Sequence, residues 1–129
     1  MKNLFASIWP SIIWTVVIFI LLVMPTKSID GASVNEIPNA DKFVHAILFA
    51  VFAFLWFSFF SLKYPLKGKS IFLTILFMGS FYGLGMEFVQ KYFTERNFSL
   101  MDGLADAVGT LIGLLAKKSP YGNRGRNQN

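Results

Sequence analysis

Four long apolar runs separated by short polar breaks constrain this sequence more than any other feature. They cover residues 8–24, 42–62, 70–90 and 100–116. About 17 apolar residues suffice for a short or tilted helix across a bilayer, and about 20 for an ordinary one. With 15 Phe and 54% hydrophobic residues, the chain is richer in apolar residues than a soluble domain of its size. The expected fold class is all-α: a polytopic membrane protein with four transmembrane helices. One domain spans residues 1–116, and a basic tail at 117–129 is expected to be disordered.

The breaks carry helix-ending signals. Pro10 is tolerated near a helix start, and Pro25 ends the first run. That run is long for the apolar part of a signal peptide, and no A-x-A cleavage site follows it, so a retained helix is expected. A polar loop follows over 26–40, where Asn39 or Asp41 can cap the second helix. Lys63, Lys67 and Lys69, with Pro65, form a short basic loop. Ser99 followed three residues later by Asp102 is a capping-box-like pair opening the fourth helix.

Small residues suggest how the helices meet. Gly79 and Gly83 are four apart in the third run, and Gly109 and Gly113 four apart in the fourth. Ala46, Ala50 and Ala53 share a face of the second. Such patterns let membrane helices approach closely.

Charge sets the expected orientation. With four crossings, the N-terminus, the 63–69 loop and the tail share one side. That side carries eight Lys and Arg and no acid, whereas the other carries four basic residues against seven acidic ones. Short basic loops stay cytoplasmic, so both termini are expected inside. The net charge of +5 is then a matter of topology and attraction to anionic lipid. Membrane lipids are expected partners and nucleic acid is not.

The sequence has no Cys, which removes disulfides, thiolate catalysis and thiolate metal sites. It has no H-E-x-x-H, G-x-S-x-G or phosphate-cradling loop. His45, Glu87 and Asp106 are scattered over three helices in no recognised ligand spacing, so no metal and no cofactor is expected.

The candidate site lies in the polar groups at the helix ends opposite the basic side. Asp41 and His45 are four apart, Glu87 and Gln90 three apart, and Asp102 and Asp106 four apart. Each pair therefore lies on one helix face. Lys42 adjoins the first pair, and Arg96 lies in the break between the last two. Each has a plain structural alternative. Asp41 and Asp102 serve as helix-capping acids, Lys42 snorkels to headgroups, Gln90 lies at the interface, and His45 is a hydrogen-bonded bundle residue. Glu87 and Asp106 are harder to explain that way, because a carboxylate inside an apolar helix is costly without a partner. Arg96 and His45 are the expected partners, joining all four in one network.

These residues resemble a known family. D-K-x-x-H at Asp41–His45, E-x-x-Q at Glu87–Gln90, Arg96, and D-x-x-x-D-x-x-G at Asp102–Gly109 together look like the VanZ-like family of small bacterial membrane proteins. The likeness covers about residues 41 to 113. The family commonly has Asn where this chain has Asp106. The resemblance implies a multi-pass protein of the bacterial inner membrane tied to the cell envelope, in a family whose namesake is linked to teicoplanin resistance. It does not supply a reaction.

The leading functional expectation is a polar outer site that binds a lipid headgroup, cell-wall precursor or glycopeptide. Arg96, Lys42 and His45 would contact anionic groups, while Glu87, Asp102 and Asp106 orient those cations or accept bonds from hydroxyls. One alternative is an enzyme acting on a lipid or cell-wall group, with His45 or Glu87 as general base and Arg96 stabilising negative charge. Another is a structural subunit whose polar cluster fixes helix register.

Overall fold

The computed structural model describes residues 2–24, 39–94 and 96–117. Nearly all of the polar loop expected at 26–40, and the tail beyond Lys117, lie outside these residues. All described regular structure is helical: a four-residue helix α1 (Lys2–Phe5), then α2 (Trp9–Val23), α3 (Ala40–Lys63), α4 (Gly68–Phe93) and α5 (Leu100–Ala116). The four long helices match the four apolar runs.

Their lengths support two of the four expected spans. Among the described residues, only α3 and α4, with 24 and 26 residues, are long and apolar enough to cross a membrane by length and composition. At 1.5 Å per residue they reach about 36–39 Å. Helix α2 has 15 residues and reaches only about 22 Å. Helix α5 has 17, and two aspartates and three glycines interrupt its apolar character.

Helix ends follow local chemistry. Pro10 occupies the first turn of α2, where no amide donor is needed. Asn39 precedes α3 in the left-handed conformation (φ 64°), which Asn tolerates well, and its side chain makes no cap bond. Asp41 stands in the first turn of α3, also not as the cap residue. Ser99 does cap α5: its Oγ accepts a bond from the Asp102 amide at 3.3 Å.

Helices α3 and α4 pack on one another, and both α2 and α5 pack on that pair. The inward face of α4 is the stripe Ile71, Ile75, Gly79, Gly83, Glu87, a spacing of four that keeps one face turned to its neighbours. On α3 the inward face includes His45, Phe49, Phe52, Ala53 and Phe57. Polar bonds attach α2: Trp14 Nε1 donates to the Leu48 carbonyl at 3.0 Å, and Tyr82 Oη donates to the Thr15 carbonyl at 2.8 Å.

The glycines make the closest approaches. A Cβ on Gly109 would overlap the backbone of Ala46, and one on Gly113 the backbone of Ala50. On α4, Gly79 faces the Thr110 side chain and Gly83 the Asp106 side chain. The small-residue faces read from the sequence are therefore the contact faces of α3, α4 and α5. Gly85 differs: a Cβ there meets nothing within 4 Å.

Gly109→Leu and Gly113→Leu should each lower thermal stability, by roughly 1–3 kcal/mol or more, because rigid backbone cannot yield to the added atoms. Gly85→Ala should instead be neutral or stabilising by up to about 1 kcal/mol, since it adds helix propensity in open space. Thermal unfolding of the three variants in detergent checks the contrast, and equal stability of all three would place the tight interface elsewhere.

Candidate functional site

Close approach of α5 to α3 sets His45 against Asp106. Their side chains are 0% exposed, and His45 Nδ1 lies 2.8 Å from Asp106 Oδ1. Gly83 leaves the space for this carboxylate, since a Cβ there would come within 2.6 Å of Asp106 Oδ2. The geometry assigns Nδ1 as the donor if the imidazole is neutral, which leaves Nε2 with a lone pair.

Glu87 reaches the same region from the last two turns of α4 and is fully buried. Its Oε2 accepts a bond from the Ser99 amide at 3.0 Å. The carboxylate of one helix thus satisfies an amide at the start of the next, while Ser99 Oγ caps Asp102. In a capping box an acid three residues on returns the bond to the cap residue's amide. Here Glu87, twelve residues earlier, supplies it.

Two ion pairs lie beside this core. Arg96 folds back and pairs through Nη2 with Asp41 Oδ2. Lys42 Nζ stands 3.6 Å from Asp102 Oδ1, with its side chain 36% exposed and that of Asp102 7% exposed. Both pairs join the start of α3 to the segment at and before the start of α5.

The structure gathers most of the expected site and redistributes its bonds. Asp41, Lys42, His45, Glu87, Arg96, Asp102 and Asp106 meet at one end of the bundle. Arg96, however, pairs with Asp41 and not with Glu87 or Asp106. Asp41 opens α3 close to where Arg96 returns, whereas the two buried carboxylates lie deeper. Gln90 is engaged elsewhere: its Nε2 donates to the Leu22 carbonyl at 2.9 Å. It ties α4 to the end of α2 and takes no part in the cluster. Lys42 pairs with Asp102 in place of extending alone. Sequence reading did not foresee the Ser99 amide as a partner of Glu87, or Gly83 as the clearance for Asp106. The G-x-x-x-G spacing of the third run was the signal for the latter.

Four buried polar atoms have no hydrogen-bond partner among the described residues: His45 Nε2, Glu87 Oε1, Asp102 Oδ1 and Asp106 Oδ2. Orphaned buried groups each cost about 1–3 kcal/mol, and more if charged. Asp102 Oδ1 at least faces the Lys42 ammonium; the other three mark a place where the protein alone leaves its polar groups unfinished. Such an arrangement can accept protons or cations, orient hydroxyls, or hold an imidazole as a base.

No protein-family model matches this chain, and no solved structure matches it. An uncharacterized protein of the fission yeast Schizosaccharomyces pombe is 35% identical over 98 residues, 76% of this chain and 59% of that protein. The chain therefore spans less than two thirds of the length of the relative it matches. These findings overturn the VanZ-like resemblance, and with it the bacterial inner membrane, the cell envelope and teicoplanin. Short acidic and glycine motifs also have a purely physical origin, because helix starts favour acids and tight helix contacts favour glycine. What the comparisons establish is likeness to a fungal protein over three quarters of this chain.

Proposed function

We propose that this chain is a membrane-embedded helical bundle, residues 1–116 with a basic tail at 117–129, whose polar end binds the headgroup of a membrane lipid. The distribution of polarity carries the reading. His45, Glu87, Gln90, Asp102 and Asp106 are buried, while Phe43, Ile47, Phe77, Phe81, Phe93 and Leu115 are each more than 60% exposed. A chain that hides carboxylates and exposes Phe suits hydrocarbon surroundings better than water. The short helices α2 and α5 then cross with their polar ends at the interface, where local thinning and snorkelling absorb mismatch.

Arg96 and Lys42 stand at the edge of the cluster, only partly buried. They offer an anionic headgroup two cations, and the buried carboxylates behind them offer acceptors for its hydroxyls or amine. On another face of α4, an apolar groove of about 340 Å³ is lined by Phe52, Trp56, Phe77, Phe81 and Tyr82. Its chemistry suits an acyl chain.

A second reading has its own observation. An imidazole oriented by a buried carboxylate, with the far nitrogen unpartnered, is the arrangement of a general base. It would make the chain a membrane enzyme acting on a lipid group, with His45 as base, Asp106 as its positioning residue and Arg96 stabilising negative charge.

Native mass spectrometry of the protein released from lipid nanodiscs tests the headgroup reading. Wild type should retain a polar lipid. Glu87→Gln should bind it about tenfold more weakly, a loss of roughly 1.4 kcal/mol, with little change in the melting temperature of chelator-stripped protein. An enzyme would keep binding and lose turnover in Asp106→Asn. Lipid-free wild type, or a Glu87→Gln variant that keeps its lipid and, in chelator-stripped protein, only melts earlier, would defeat the headgroup reading.

Topology is checked separately. The basic side should be cytoplasmic, so reporters in the 63–69 loop and after Asn129 should read inside and one near Gly31 outside. A tail open to protease in intact cells would reverse that orientation.

A further inference from the structure

We propose that His45, Glu87 and Asp106 hold a divalent transition-metal ion of the Zn²⁺ or Mn²⁺ type. The inference rests on reading the polar end as a ligand site, and its test separates the two.

The first argument is geometric. One ligand atom from each of the three side chains lies within 4.8 Å of the others, and all three residues are buried. Two ligands sharing an ion at about 2.1 Å stand at most about 4.2 Å apart. A small inward shift at most closes the set. Three helices supply the ligands, and helix-borne ligands converging in a bundle core make a rigid site.

The second argument is charge. Asp41 has Arg96 and Asp102 has Lys42. Glu87 and Asp106 have no Lys or Arg among the described residues. Among the described residues His45 is the basic group beside them, and each keeps one oxygen without a hydrogen-bond partner. Two carboxylates and a neutral imidazole match one divalent ion. Neutralising them removes the main cost of burying them among apolar helices.

Donor chemistry narrows the ion. One imidazole and two carboxylates favour Zn²⁺, Mn²⁺ or Fe²⁺ over Ca²⁺ and Mg²⁺, which take oxygen alone. The lack of Cys in the chain removes the thiolates that Cu⁺ prefers. Asp41, His45 and Asp102 form a second set with the same spacing. Its two acids already have cations, and Asp41 is exposed, so it is the weaker claimant.

His45 is the only histidine, which makes the test clean. The protein is purified in detergent without a polyhistidine tag, stripped with chelator, and titrated with Zn²⁺, Mn²⁺ and Co²⁺. Wild type should bind one ion per chain, raise its melting temperature with metal, and give a Co²⁺ absorption band. His45→Ala should lose that band. Glu87→Gln and Asp106→Asn should weaken binding by at least about 100-fold, the upper end of what losing even an outer partner costs. Asp41→Asn should bind within a few-fold of wild type.

No stoichiometric ion and no thermal shift in well-folded wild type would overturn the assignment, whatever the variants do. Loss in Asp41→Asn with retention in Glu87→Gln would move the ion to the other set and overturn it equally. Lipid retention by metal-stripped wild type that takes up no ion would sink the metal alone. Stoichiometric metal in a protein that retains no lipid would sink the headgroup reading alone.

Discussion

The polar end of this bundle depends on how closely α5 can lie on α3. Gly109 and Gly113 present bare backbone to the backbone of Ala46 and Ala50. Any side chain there would push the helices apart. One turn before Gly109 on α5, and one residue before Ala46 on α3, stand Asp106 and His45. The close contact therefore sets the 2.8 Å separation of the buried pair. Gly83 on α4 does the same from the third side by leaving room for the Asp106 carboxylate.

Around that pair, two acids have cations and the third has an amide. Arg96 and Lys42 neutralise the acids nearest the edge. Glu87 takes a backbone amide and thereby fixes the turn between α4 and α5. The remaining unpartnered atoms are concentrated at the centre, where solvation is poorest. A protein selected for stability alone would place apolar side chains there. Retaining two carboxylates and an imidazole in such a place is costly, and functional sites are where such costs are tolerated.

The same economy explains Gln90. It lies one turn beyond Glu87, on the same side of α4, but turns its amide to the last turn of α2. Helix α2 has few buried apolar residues, and specific bonds from Trp14, Tyr82 and Gln90 hold it in place. The bundle is thus tightest on the α3–α4–α5 side, which carries the site. On the α2 side an apolar cluster of Ile18 and Leu22 with Phe49, Phe52 and Met86 is supplemented by these polar bonds.

The sequence by itself determined the number of the long helices and their bounds to within about three residues, because apolar runs and their breaks are local properties. It pointed to the tight faces, because small residues four apart let helices approach closely. It also determined that His45, Glu87, Asp102 and Asp106 would share one end, because alternating helices bring those ends together. Partner choice needed the tertiary structure. Arg96 could reach several carboxylates, and only the fold shows that Asp41 lies nearest its return path. Glu87 found its partner in a backbone amide, a group every residue has and no sequence pattern marks. The convergence of three ligand atoms was invisible for the same reason: spacing along a chain reports neighbours within one helix, not distances between three.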